Sequence, residues 1–109
     1  MKQTSLFIDF MGDSPIVRLF DYFLTERDLD FSISDIARNT KIGRATLYRH
    51  WDSLQKNQIL LYTRTVGKAR LYRLNTQNVK VKKLMEIDDL LVLEDLKKRA
   101  EKGKAKVEA

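Results

Sequence analysis

Two helix-start signals in quick succession constrain this chain more than any other feature. In "SISDIARNTKIGRATLYRHW", residues 32–51, the run Ser32-Ile33-Ser34-Asp35 has the Ser-x-x-Asp form of a capping box. There a hydroxyl and a carboxylate satisfy N–H groups that a helix start leaves unpaired. A short helix is therefore expected from Ile33, with Ile36 and Ala37 inward and Asn39 near its end. "TKIG" then turns the chain, and Gly43 is suited to begin the next helix. From Arg44 the apolar residues Leu47, Trp51 and Leu54 recur at steps of four and three, which marks one buried face. The opposite face carries Arg44, Ala45, Thr46, Tyr48, Arg49 and Asp52. Helix, tight turn and helix in this order match the layout of a helix-turn-helix.

The flanks add a helix in front and a hairpin behind. "GDSPIVRLFDYFLTE" offers Ser14 as N-cap and Pro15 at the first helical position, where a missing N–H costs nothing. Ile16, Leu19, Phe20 and Phe23 then form an inward stripe, "RDLD" breaks it, and "FSIS" is short and β-prone. After the second helix of the pair fades near Asn57-Gln58, "ILLYTRTVGKARLYRLN" reads as two β-prone runs joined at Gly67. Alternation there is imperfect, because Leu60, Leu61 and Tyr62 are consecutive. From Asn78 a long helical segment runs to about residue 100, and the following "KKRAEKGKAKVEA" region lacks apolar anchors and is expected to fray. The expected fold is mainly α with a small β-hairpin (α+β): an arm over 1–12, a winged helix-turn-helix over 13–76, a C-terminal helix over 77–100 and a frayed tail over 101–109.

Charge distribution narrows the partner. The 109 residues carry 21 basic and 15 acidic side chains, a net of +6. Residues 1–40 sum to −3 and residues 84–109 to −1, whereas residues 41–83 hold eleven basic side chains and one acidic, Asp52. A central block of +10 is a localised field suited to a polyanion. A duplex DNA major groove about 12 Å wide admits a helix whose outward residues reach base edges. Arg44, Thr46, Tyr48 and Arg49, with Ala45 beside them, are such residues. Arg64, Lys68 and Arg70 on the hairpin offer cations to the neighbouring backbone or minor groove. Lys41, Ser34 and Arg38, on and after the preceding helix, are secondary candidates for phosphate.

Other chemistries find little support. With no cysteine there is no disulfide scaffold, thiolate metal site or cysteine nucleophile, and an intracellular, cytoplasmic setting is the default expectation. His50 is the single histidine and stands beside no serine–acid pair or second ligand. Trp51 shares a face with Leu47 and Leu54, which assigns it to the core rather than to a stacking platform. "ERDLD" lacks the glycine and terminal glutamate of an EF-hand loop, and the four glycines form no phosphate loop. The apolar runs "ILLY" and "LLVL" are far too short to span a membrane, and "MKQTSLFIDFMGD" does not have the form of a signal peptide. The sequence thus points to a non-enzymatic protein with no metal or cofactor, and no effector-pocket signal stands out.

"GDSPIVRLFDYFL", "SISDIARNTKIGRATLYRHWDSLQKNQIL" and "YTRTVGKARLYRLN" resemble the winged helix-turn-helix transcriptional regulators of archaea and bacteria, broadly the MarR- and ArsR-like groups. The resemblance spans roughly residues 12–80 and is most specific in "DIARNTKIGRATLYRHWDSL". It implies that Arg44 to Arg49 read the groove and that Arg64, Lys68 and Arg70 form the wing. The family often has glycine where this chain has Gln58, so Asn57 is the expected left-handed cap of the reading helix.

Oligomeric state follows from a surplus of apolar residues. Val81, Leu84, Ile87, Leu90, Leu91, Leu93 and Leu96 span more than one stripe, more than covering one domain requires. A symmetric copy is the commonest cover, so a homodimer through Leu84, Ile87 and Leu91 is expected, with "LFIDFM" adding to the interface. Two other functions share these features: a winged helix serving protein–protein contact, and a plasmid or viral maintenance factor that binds DNA. The +10 block, and a reading face on which no acidic residue comes before Asp52, favour DNA over protein.

Overall fold

The computed structural model describes residues 5–108, with side chains described to residue 103. The chain runs α1 (Leu6–Met11), α2 (Pro15–Thr25), β1 (Phe31–Ser32), α3 (Ile33–Thr40), α4 (Arg44–Lys56), β2 (Leu60–Val66), β3 (Ala69–Leu74) and α5 (Val79–Glu108). The strands form one antiparallel sheet in the order β1-β3-β2.

Local chemistry explains most boundaries. Ser14 accepts a hydrogen bond from the Val17 N–H and Pro15 opens α2. Ser32 accepts from the Asp35 N–H, as the capping box requires. Gly43 is the N-cap of α4 and makes no side-chain cap bond. Between Val66 and Ala69 the hairpin needs only two turn residues, and Gly67 supplies positive φ (61°) at the first of them.

The core gathers Val17, Leu19, Phe23, Leu24, Ile36, Leu47, Trp51, Leu54, Leu60, Tyr72 and Leu74, with Phe7 and Val81 from the two ends. Leu47, Trp51 and Leu54 face inward as their spacing predicts. The buried stripe of α2 is shifted from the expected one: Val17 and Leu24 join Leu19 and Phe23, while Ile16 and Phe20 are only half-buried against the core. The cause is its central place, with α1, α3, α5 and β3 all packed around it.

Three expectations are corrected, and the hairpin carries a bulge besides. The segment 1–12, expected as an arm, is helical and packed on the domain over its described part. Ser5 caps α1, accepting from the Ile8 N–H while its hydroxyl donates to Asp21 at 2.7 Å, and Phe7 is 1% exposed. The left-handed residue after α4 is Gln58 (φ 55°), not Asn57 (φ −84°), so it stands where a glycine is expected. The consecutive Leu60, Leu61 and Tyr62 pair in regular register with β3, and a bulge follows them: Tyr62 pairs with Tyr72 and Arg64 with Leu71, leaving Thr63 unpaired. Finally, α5 does not stop near residue 100 but continues to Glu108. Lysine, alanine and glutamate, which favour helix, outnumber Gly103 and Val107 in its last turns.

α5 sets the molecule's outline. Its 30 residues make a rod about 45 Å long. The radius of gyration is 16.6 Å, against about 13 Å for a compact domain of this length, and the extents are 59 × 32 × 24 Å. The architecture is a winged helix-turn-helix with a long C-terminal helix extending from it.

Candidate nucleic-acid interface

α4 presents its polar face to solvent. Arg44, Ala45, Tyr48 and Arg49 are exposed and Thr46 is half-buried. Three inward residues enforce this orientation, because Leu47, Trp51 and Leu54 are locked into the core. Trp51 meets Tyr72 of β3 edge to face at 4.9 Å, which ties the back of α4 to the sheet. Asp52, the one carboxylate on the helix, forms an ion pair with Lys56 at 3.1 Å. With no side chain capping at Gly43, the first N–H groups of α4 lie open beside Arg44, as phosphate binding would use them.

The predicted cations are not equally available. Arg49, Lys68 and Lys41 are exposed and form no ion pair among the described residues. Arg44 donates to the Ser34 hydroxyl, an exposed neutral contact that brings two predicted residues together. Arg38 is held by Asp35 at 2.6 Å. Arg70 lies over the Tyr62 ring, 5.0 Å from its centroid, and so is oriented without being neutralised.

Arg64 is committed elsewhere. Its guanidinium donates twice to Asp30, Nε to Oδ2 at 3.0 Å and Nη2 to Oδ1 at 3.2 Å. The bulged Thr63 hydroxyl donates to the same carboxylate at 2.6 Å. Asp30 is thereby held below the usual carboxylate range, first by the Arg64 hydrogen bond and then by Thr63. Strand alternation places Arg70 on the face of Tyr72 and Trp51, while Arg64, opposite Leu71, lies on the reverse face.

The "ERDLD" segment, expected to break the helical stripe and lacking the marks of a cation loop, is a junction. Asp30 holds the hairpin, and Arg27 reaches α5 through Asp88 at 3.1 Å and Asp89 at 2.8 Å. These pairs join residues 34, 61 and 62 positions apart. No local pattern announces a contact at such range.

The residues expected at a dimer interface divide. Leu84 and Leu91 are partly buried against the chain's own core, and Ile87 is half-buried. The apolar side chains of α5 left in solvent beyond its contacts with the domain are Leu90, Val92, Leu93 and Leu96. Phe10 and Met11, at the end of α1, are exposed as well. No described helix is long and apolar enough to cross a membrane. No group of three or more His, Cys, Asp or Glu side chains converges as for a metal ion among the described residues.

No protein-family model and no curated sequence matches the chain. Solved structures do. MepR, a transcription regulator of the Staphylococcus aureus multidrug efflux pump MepA, superposes with a TM-score of 0.60 at 15% identity, covering 92% of this chain and 78% of that one. A possible transcriptional regulator from Methanosarcina mazei Go1 superposes with a TM-score of 0.51 at 14% identity, covering 92% and 84%. At such identities the likeness establishes the winged-helix fold.

Proposed function

We propose that this chain is a sequence-specific double-stranded-DNA-binding transcriptional regulator acting as a cytoplasmic homodimer. The carrying observation is the open face of α4, where Arg44 and Arg49 flank Tyr48 and the only carboxylate, Asp52, is already paired. Arginine forks match the two acceptors of guanine in the major groove, and each such pair is worth about 1–3 kcal/mol of discrimination. Lys68 and Arg70 on the wing supply phosphate contacts. Tyr48 on α4 and Leu61, Tyr62 and Val66 on the hairpin are exposed, with Arg49 next to Tyr48 and Arg70 lying over the Tyr62 ring. That interleaving favours nucleic acid over a protein partner.

The test is a mobility-shift titration of the purified protein against fragments of its own upstream region, with Arg49→Ala beside it. The wild type is expected to shift one fragment preferentially. Arg49→Ala should lose about tenfold or more of that preference while melting at the wild-type temperature. An unchanged affinity for the preferred fragment, with the variant folded, removes α4 from the reading role.

A further inference from the structure

The base of the hairpin holds a cluster of carboxamides that the DNA-facing surface does not use. Because Gln58 turns left-handed at the end of α4, the carbonyls of Asn57 and Gln58 lie beyond the helix without helical partners. Two side chains from the segment between β3 and α5 cover them. Asn75 Nδ2 donates to the Gln58 carbonyl at 2.8 Å. Asn78 Nδ2 donates to the Asn57 carbonyl at 2.9 Å and to the Gln58 carbonyl at 3.1 Å.

The other end of the Asn78 amide starts α5. Its Oδ1 accepts from the Lys80 N–H at 2.8 Å, with the Val81 N–H farther off at 3.4 Å, as an N-cap does. One planar group therefore holds the end of α4 with its nitrogen and the beginning of α5 with its oxygen. Val81, one turn on, is completely buried and Arg27 holds α5 again at Asp88 and Asp89. The first turns of α5 are thus fixed to the reading head, and the exposed leucines lie beyond that clamp.

We infer that Asn78 is a positioning residue that sets the angle between α4 and α5, and with it the separation of the two reading helices in a dimer. The inference rests on the DNA-reading homodimer proposed above. Capping alone does not need an asparagine, since aspartate or serine would start α5 as well. Only an amide also donates from its other end. The leverage is large: a swing of about 10° at Asn78 moves the Leu93–Leu96 region, roughly 25 Å along the helix, by about 4 Å. That exceeds the rise of one DNA base pair, about 3.4 Å.

The experiment selects binding sites from a random-sequence duplex pool with the wild type, Asn78→Asp and Asn78→Ser, each checked by thermal melting. Both variants keep an N-cap oxygen and lose the amide donors to α4. The expected result is an unchanged half-site sequence with a spacing that spreads by a base pair or more. Affinity for the wild-type spacing should fall about tenfold, because a freed joint must be ordered at one angle when both half-sites are engaged. Affinity for a duplex carrying one half-site should stay unchanged. Should the carboxylate introduced by Asn78→Asp unsettle the base of α5 against two carbonyls, the neutral serine variant carries the comparison. Identical spacing and affinity in a folded variant overturn the inference and leave Asn78 as a cap. Selection of unpaired half-sites by the wild type overturns it too, while DNA reading stands. A wild type that enriches no duplex at all defeats the functional reading itself.

Discussion

Arg64 and Arg70 are both wing arginines by sequence, yet their surroundings give them different work. Arg70 rests on the Tyr62 ring and keeps its charge unneutralised, whereas Arg64 is closed against Asp30 on the reverse face of the sheet. Replacing Lys68 and Arg70 by alanine is therefore expected to lower affinity for all duplexes and to reduce the log–log salt slope by about 0.9 for each phosphate no longer neutralised. Arg64→Ala should instead lower the melting temperature with the salt slope nearly intact. An equal slope change in Arg64→Ala would show that Arg64 leaves Asp30 to reach DNA. Two aspartates extend the argument to pH. Asp30 is held below its ordinary value by Arg64 and Thr63, so its stabilisation is present at neutral pH and is lost as pH falls through the lowered value. Asp21 is raised, chiefly by burial, against the lowering bond from Ser5 and with Asp88 adding a smaller upward push. Its ionisation opposes folding, so any benefit is complete only in acid and vanishes as pH rises through the raised value. Asp30→Asn should thus destabilise at pH 7 and match the wild type in acid, while Asp21→Asn should stabilise at pH 7 and lose that advantage in acid. Melting curves across the acid range decide both signs. Neither aspartate was legible from the sequence, because their partners are distant along the chain or set by burial.

At the level of elements, what was legible is what is local. Ser14, Ser32 and Gly43 fix the starts of α2, α3 and α4, and apolar spacing fixes their inward faces. The hairpin followed from Gly67, but its bulge did not, since Thr63 is extruded where its hydroxyl reaches Asp30. α1 was illegible for a related reason: six residues cannot sustain a helix alone, and this one is held by Phe7 in the core and by Ser5 against Asp21. The left-handed turn after α4 was expected one residue early. A β-carbon in that conformation costs about 1–2 kcal/mol, and Gln58 bears it while its own carbonyl accepts from Asn75 and Asn78. Gln58→Gly keeps the backbone bonds and removes the strain, so it should stabilise the protein by about 1 kcal/mol, read as a rise in the denaturation midpoint. A fall would mean that the exposed Gln58 side chain contributes more than its backbone conformation costs.

For the whole molecule, the question is what covers the outer part of α5. The domain end of that helix is accounted for: Val81 is buried, Leu84, Met85 and Leu91 pack against the core, and Arg27 grips Asp88 and Asp89. Beyond this, Leu90, Val92, Leu93 and Leu96 are exposed by 45–58% on a rod that carries the radius of gyration well past that of a compact domain. Isolated exposed apolar side chains are ordinary, but three leucines and a valine within seven residues of a projecting helix form a surface that water penalises. A second copy placed by a two-fold axis meets the same surface with itself and needs no other partner. In the proposed dimer, such an axis would set two α4 helices against half-sites about 34 Å apart, or a multiple of it. The surplus apolar face was evident from the sequence, whereas its location was not. Leu84 and Leu91 satisfy the chain's own core, so the probes belong farther along, at Leu93 and Leu96. Sedimentation at micromolar concentration should show a dimer for the wild type and a folded monomer for Leu93→Glu with Leu96→Glu. The same double variant should retain weak binding to a single half-site and lose the tighter binding to paired ones. A monomeric wild type, or a double variant that still sediments as a dimer, would place the interface elsewhere, with the exposed Phe10 and Met11 of α1 the next surface to test.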